Sequence, residues 1–166
     1  MGKHSAAYGL AIAVFVLDQI AKLTMIYPLA LQQVGQITLL PIFKFTWTEN
    51  RGFSLGMAQA ETDLQRWLLV AGTSIIAFIV AWWIAREKKG GERMALALVL
   101  GGALGNIVDR VRLGFVVDFL DLHFGEWRPF LVFNVADAAI SIGVVILLLR
   151  AIFIRPAAPE ENIDHA

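Results

Sequence analysis

The chain contains no cysteine. That removes disulfides, thiolate metal sites and a cysteine nucleophile together. Charge is scarce as well: 17% of the 166 residues are Asp, Glu, Lys or Arg, and the net charge is zero. No nucleic-acid partner is expected from such a balance. Histidine is nearly missing, with His4 and His165 in the tails and His123 in a loop. A Ser–His dyad inside an apolar segment therefore lacks a good base, and without His-Glu-x-x-His there is no zinc site of that kind.

What is present is hydrocarbon. Hydrophobic residues make up 58% of the chain and the mean hydropathy is +0.67, well beyond an ordinary soluble domain. Four apolar segments are legible, at about 6–27, 67–85, 94–112 and 130–150. The first is interrupted by Asp18, Gln19 and Lys22, the second carries no charge, and the third is rich in Gly and Ala ahead of Asp109-Arg110. Lengths near 20 residues fit single bilayer crossings. The first segment holds Asp and Lys and no small-residue cleavage site follows it, so a retained helix is expected rather than a cleaved signal. The expected fold is an all-α polytopic membrane protein with four transmembrane helices, forming one domain over 1–155. The Pro-, Ala- and acid-rich stretch 156–166 reads as a disordered tail.

Between the first two helices, Phe43-Lys-Phe-Thr-Trp-Thr48 alternates apolar and polar residues, the period of a half-buried strand. Ile37 to Leu40 precedes it and Phe53-Ser-Leu-Gly-Met57 follows it, so a small β-sheet is expected in this outer loop. Thr62-Asp-Leu-Gln65 has the spacing of a capping box and should start the second helix. Phe43, Phe45, Trp47, Phe53 and Trp127 read mainly as an interfacial aromatic belt. Orientation follows Lys and Arg density. Arg86, Lys88, Lys89 and Arg93 crowd a tight loop, with Lys3, Arg150 and Arg155 on the same side. Lys44, Arg51, Arg66, Arg110, Arg112 and Arg128 are spread on the other. Both termini and the 86–93 loop are expected in the cytoplasm.

The polar residues left inside the apolar runs carry the chemistry. A carboxylate in a spanning helix costs about 2.5–3.5 kcal/mol on insertion scales and marks a working site by default. Asp137 is such a residue, and Asp118 lies 19 positions upstream at the near end of the same run. Read as helix from Pro129, the fourth segment places Asp137 about 12 Å along its axis at ~1.5 Å per residue, on one face with Asn134 and Ser141. Two acids meeting at one membrane face can share a proton. Asp18 and Lys22 form an i, i+4 pair suited to mutual neutralisation. Asn106, Asp109 and Arg110 occupy one turn of the third helix. Two readings are open on this ground: an aspartyl hydrolase, or a small proton-coupled transporter or adaptor subunit using Asp18, Lys22 and Asp137 as a relay. Four helices without an inverted repeat are few for a transporter.

Five motifs then occur in a familiar order: Asp18-x-x-x-Lys22, Asn50-Arg-Gly52, Gly105-Asn106-Ile-Val-Asp109-Arg110, Val117-Asp118-Phe119 and Phe133-Asn134-Val-Ala136-Asp137. The chain resembles lipoprotein signal peptidase, also called signal peptidase II, over everything but its two tails. Gly-x-Gly-Asp, the mark of a different class of intramembrane aspartyl protease, is absent. One departure stands in Asn50-Arg-Gly-Phe-Ser-Leu55, where many members carry an aromatic in place of Leu55. The resemblance implies an aspartyl endopeptidase of the bacterial cytoplasmic membrane, working on prolipoproteins whose cysteine already bears diacylglycerol. It implies Asp118 and Asp137 as the catalytic dyad. Asp18, Lys22, Asn50, Gly52, Asn106, Asp109, Arg110, Asn134 and Ala136 become supporting or substrate-contacting positions. No metal or cofactor is expected; the partners are lipid-modified substrate and membrane lipids, and the enzyme is expected to be a monomer.

Overall fold

The structure, a computed structural model, describes residues 2–52, 63–125 and 127–153. In chain order its elements are α1 (Lys3–Ile26), α2 (Leu31–Val34), β1 (Gln36–Leu40), β2 (Phe43–Asn50), α3 (Asp63–Arg86), α4 (Gly90–Leu113), β3 (Val116–Leu122) and α5 (Val135–Phe153). The four long helices are each long and apolar enough to cross a membrane. The protein is a multi-pass membrane protein, as its hydropathy indicates. Helices α3 and α4 begin four residues earlier than the apolar runs, because hydropathy marks hydrocarbon and not helix ends. Their first turns hold Asp63 and Glu92, acids that favour the positive end of a helix. The start of α3 fits the capping-box expectation, although Thr62 lies outside the described residues, as do the 53–57 strand expectation and the 156–166 tail.

Helix α4 is the centre of the bundle, packed against α1, α3 and α5. Its small residues permit this. A side chain at Gly101 would meet the Ala11 carbonyl of α1, and one at Gly102 would meet the Ala136 carbonyl of α5. Gly143 of α5 lies in turn against the Ala95 carbonyl. Ala7, Ala11, Ala77, Ile84, Leu96, Ala97 and Leu100 fill one apolar core between α1, α3 and α4. Outward faces carry large apolar side chains such as Ile12, Leu17, Ile75, Phe78 and Leu148. That is the pattern of helices solvated by lipid, where association depends on close packing and not on hiding apolar surface.

Among the described residues the sheet has three strands in the order β1-β2-β3, all antiparallel. Two come from the loop between α1 and α3, as expected. The third, β3, is recruited from the α4–α5 connection and pairs Thr48 with Asp118 and Asn50 with Val116. Phe43, Phe45 and Trp47 are half-buried in this sheet. Phe45 packs edge-on against Phe43 and Phe119, each at 5.9 Å between ring centres, and Trp47 against Phe115 at 6.4 Å. These rings build the sheet's core, whereas Trp127 remains exposed beside Phe124.

The start of the fourth helix is corrected. Residues 130–134 are not helical, and Phe133 instead bridges to Leu120 of β3. Asp137 is therefore the third residue of α5 rather than some 12 Å along it.

Candidate active site

Asn134 precedes the first helical residue of α5, and its side-chain oxygen accepts the Asp137 N–H at 2.9 Å. The Asp137 carboxylate reaches back to the Asn134 N–H at 3.3 Å. This is a reciprocal capping box built from Asn and Asp. The helix start thus fixes Asp137 at the positive end of α5, which favours a negative charge there. The Asn134 amide has a second task. Its nitrogen donates to Asp118 Oδ1 at 2.6 Å, so one side chain touches both carboxyl-bearing segments.

Asp118 is held on its other oxygen by the Asn50 amide at 3.0 Å. Asn50 is oriented by Gly52, whose N–H donates to its side-chain oxygen at 3.0 Å and thereby turns the amide nitrogen toward Asp118. Gly52 sits at φ +92°, a conformation in which a side chain is strained. The Asn-x-Gly spacing is in this way an aiming device for one hydrogen bond. Asn106 of α4 plays the matching part for Asp137, donating at 2.8 Å while its oxygen accepts from Lys22 Nζ at 3.0 Å.

Lys22 is 2% exposed and contacts the carboxylates of Asp18 and Asp109, each at 2.8 Å. The expected Asp18–Lys22 pair is present, but Lys22 belongs equally to Asp109. Asp18 also accepts the Ala136 N–H at 2.9 Å, and Asp109 accepts the Val117 N–H at 3.2 Å. Gly105 makes room for Asp18, whose carboxylate occupies the space a side chain there would need. Ala136 is fully buried against Gly102 and Gly105, so its smallness serves helix contact. Arg110 is within electrostatic reach of Asp137, Asp118 and Asp109, and its Nε is buried with no hydrogen-bond partner among the described residues.

Asp118 and Asp137 line one cleft of about 580 Å³, walled by Thr48 to Gly52 on one side and by Leu131 to Phe133 on the other. A second, apolar groove of about 280 Å³ adjoins it along Phe130, Leu131, Ser141 and Ile142, again reaching Asp137. Burial pushes the Asp118 carboxyl up to about 7, and the nearby Asp137 charge adds to this, while the Asn50 and Asn134 hydrogen bonds oppose it. Both acids thus face the same opening, and one of them is suited to hold a proton near neutrality. Among the described residues no group of three or more His, Asp and Glu side chains is arranged to hold a metal ion.

The structure brings every sequence-chosen polar residue to this one end of the bundle. Two participants were not singled out. Gln19 Nε2 lies 3.2 Å from both Asp18 and Asp109, and its place beside Asp18 in the interrupted segment was the available signal. Asp121 is buried on β3, where Thr46 donates to it at 2.9 Å and Lys44 and Arg128 approach to 3.7 Å. Its three-residue spacing from Asp118 was the only hint.

The signal peptidase II family model matches residues 10–153. The lipoprotein signal peptidase of Rhizorhabdus wittichii is 56% identical over 158 residues, spanning 95% of this chain and 92% of that one. That of Sphingopyxis alaskensis is 55% identical, spanning 92% and 88%. A solved bacterial membrane enzyme superposes with a TM-score of 0.75 at 25% identity, covering 89% of this chain and 88% of that one. With four helices fit to span a membrane, a two-acid cleft and a family match over most of its length, the chain belongs to the signal peptidase II family of membrane peptidases.

Proposed function

We propose that the protein is an aspartic endopeptidase that removes the signal peptide from diacylglyceryl-modified prolipoproteins, cutting just before the lipid-bearing cysteine. The observation that carries this reading is the placement of Asp118 and Asp137 on one cleft, with Asn134 bonded to both segments. In the proposed cycle Asp118 holds the shared proton, consistent with its raised affinity for it. Asp137, at the positive end of α5, takes a proton from a water held between the two acids. The resulting hydroxide attacks the scissile carbonyl, and Asp118 donates to the carbonyl oxygen as a tetrahedral gem-diol forms. Collapse of the gem-diol returns a proton to the leaving amine, and no covalent enzyme intermediate arises. Asn50, on the wall of the cleft, contacts the substrate backbone in this reading, and the Arg110 charge steadies the two acids from α4.

The two openings suit a substrate with two natures. The larger cleft takes the peptide beside Thr48 to Asn50 at the end of β2, and the apolar groove beside Phe130, Leu131 and Ile142 takes hydrocarbon. We place the enzyme in the bacterial cytoplasmic membrane as a single-domain monomer, both termini inside and the sheet outside. Lys89, in the dense basic loop, is then labelled only from the cytoplasm when changed to cysteine.

The test is cleavage of a purified lipid-modified prolipoprotein by purified enzyme in detergent, without an ion gradient. A shortened substrate on a gel supports the reading. No cleavage of the lipidated form, or equal cleavage of an unlipidated one, overturns it.

A further inference from the structure

Lys22 touches neither Asp118 nor Asp137, yet its two carboxylate partners are arranged symmetrically about them. Asp18 accepts the N–H of Ala136, the residue just before Asp137. Asp109 accepts the N–H of Val117, the residue just before Asp118. Both carboxylates converge on the same ammonium at 2.8 Å, within a cluster where Asp18, Lys22 and Asp109 are all 2% exposed or less. We propose that Asp18, Lys22 and Asp109 form a spacer clamp that sets the separation of the two dyad carboxyls, with Lys22 as a positioning residue at its centre. This rests on the aspartic reading above.

The physical argument is one of charge and reach. Two buried carboxylates sharing one cation are drawn together, and each carries a backbone N–H with it. The N-terminus of α5 and the start of β3 are thereby drawn toward one point on α1. Without the ammonium only Gln19, at 3.2 Å from each acid, remains between two like charges. They repel, and the two segments they hold part. Lys22 also fixes the rotamer of Asn106. An ammonium only donates, so the Asn106 oxygen must face it, which leaves the amide nitrogen for Asp137. Loss of Lys22 frees that amide to turn. A shift of about 1 Å at a reacting group can cost on the order of a hundredfold in rate.

The experiment uses full-length enzyme purified in detergent, compared per folded molecule on a lipid-modified prolipoprotein. Cleavage by the unmodified enzyme and its loss in Asp137→Asn are the controls, and their failure would count against the aspartic reading and not the clamp. Lys22→Met is expected to lower kcat at least about tenfold with KM changed by less than about threefold. Hydrogen exchange at the Ala136 and Val117 amides should quicken together. The charges acting on Asp118 come from Asp137 of α5, Lys22 of α1 and Arg110 of α4. Removing Lys22 should therefore also move the alkaline limb of the rate profile upward. Should Lys22→Met fail to fold, Asp18→Asn and Asp18→Ala decide. Both remove the carboxylate–ammonium link: the amide keeps one oxygen for the Ala136 N–H but turns an NH2 toward the Lys22 ammonium, so each should lower kcat at least about tenfold. Normal kcat in a folded Asp18 variant, or normal kcat and an unmoved pH limb in folded Lys22→Met, overturns the clamp.

Discussion

Helices α3 and α4 are the same length and adjacent in sequence, yet they do opposite work. Helix α3 carries no charge between Trp67 and Ala85, and only 17% of its apolar span is buried. Helix α4 has the lowest mean hydropathy of the four spans and is half buried. It holds Asn106, Asp109 and Arg110 beside the acids, and its glycines admit α1 and α5 to backbone contact. In a bilayer the most apolar helix is the one that faces lipid, and the least apolar one faces protein. The weakest hydropathy signal therefore marks the packing centre of the bundle, beside the proposed active site.

The sharpest break in this comparison comes from the two acids that α4 supports. Asp118→Asn and Asp137→Asn should each reduce cleavage below detection at unchanged membrane levels, since an amide neither takes nor gives the required proton. Residual turnover above about one part in a thousand in either variant removes that residue from the chemical step.

Next in size is packing. Gly102→Leu places a side chain against the Ala136 carbonyl and Ile140 of α5, and overpacking of this kind costs about 1–3 kcal/mol or more. Folded protein after detergent extraction should fall severely, measured by size-exclusion yield and melting temperature. An unchanged melting temperature would mean that α5 is free to move away from α4.

A pH profile sharpens the account of the cleft. With Asp118 holding its proton up to about pH 7, kcat/KM should fall as pH rises through that value in the free enzyme. Asn50→Ala removes a hydrogen bond that favours the ionised form, so the fall should move to higher pH. A shift to lower pH would contradict the assignment.

The same titration bears on stability. Asp118 has a folded pKa above its unfolded value of 3.8. Between roughly pH 4 and 7 the unfolded chain ionises first, so wild-type stability declines across that window and then levels off. The decline is on the order of 4 kcal/mol at most. Asp118→Asn lacks it and should melt higher than wild type at pH 8, with the difference vanishing near pH 4. The smallest effect belongs to α3, where Phe78→Leu at an exposed position should change stability by only about 0.5 kcal/mol. A large loss there would show that α3 has a protein partner on its outer face.

Much of this was legible in the chain. Helix count, the small sheet and the gathering of Asp18, Asn106, Asp118 and Asp137 follow from hydropathy and from the cost of polar groups in hydrocarbon. The third strand was not read, because Val116-Val-Asp-Phe-Leu-Asp-Leu122 is almost as apolar as a helix and breaks strict alternation. Its pairing with β2 is decided about 70 residues away, beyond any local window. The start of α5 was misplaced for the same reason. Phe130 to Phe133 are apolar, but they are held by β3 and the cleft rather than by helix bonds. The Asn134-x-x-Asp137 spacing was the local sign of the true boundary. Lys22's second partner was also out of reach, since Asp109 lies 87 positions further on.

The way the sheet is strung also fixes when the site can come into being. Strands β2 and β3 are separated by two complete membrane crossings. At a synthesis rate of about 5–20 residues per second, roughly several seconds pass between their emergence. Throughout that interval Asn50 waits without Asp118, and Asp137 does not yet exist. A nascent chain that stalls before Val135 thus holds half a cleft. On the proposed two-acid reading, hydrolytic capacity comes only with the final helix.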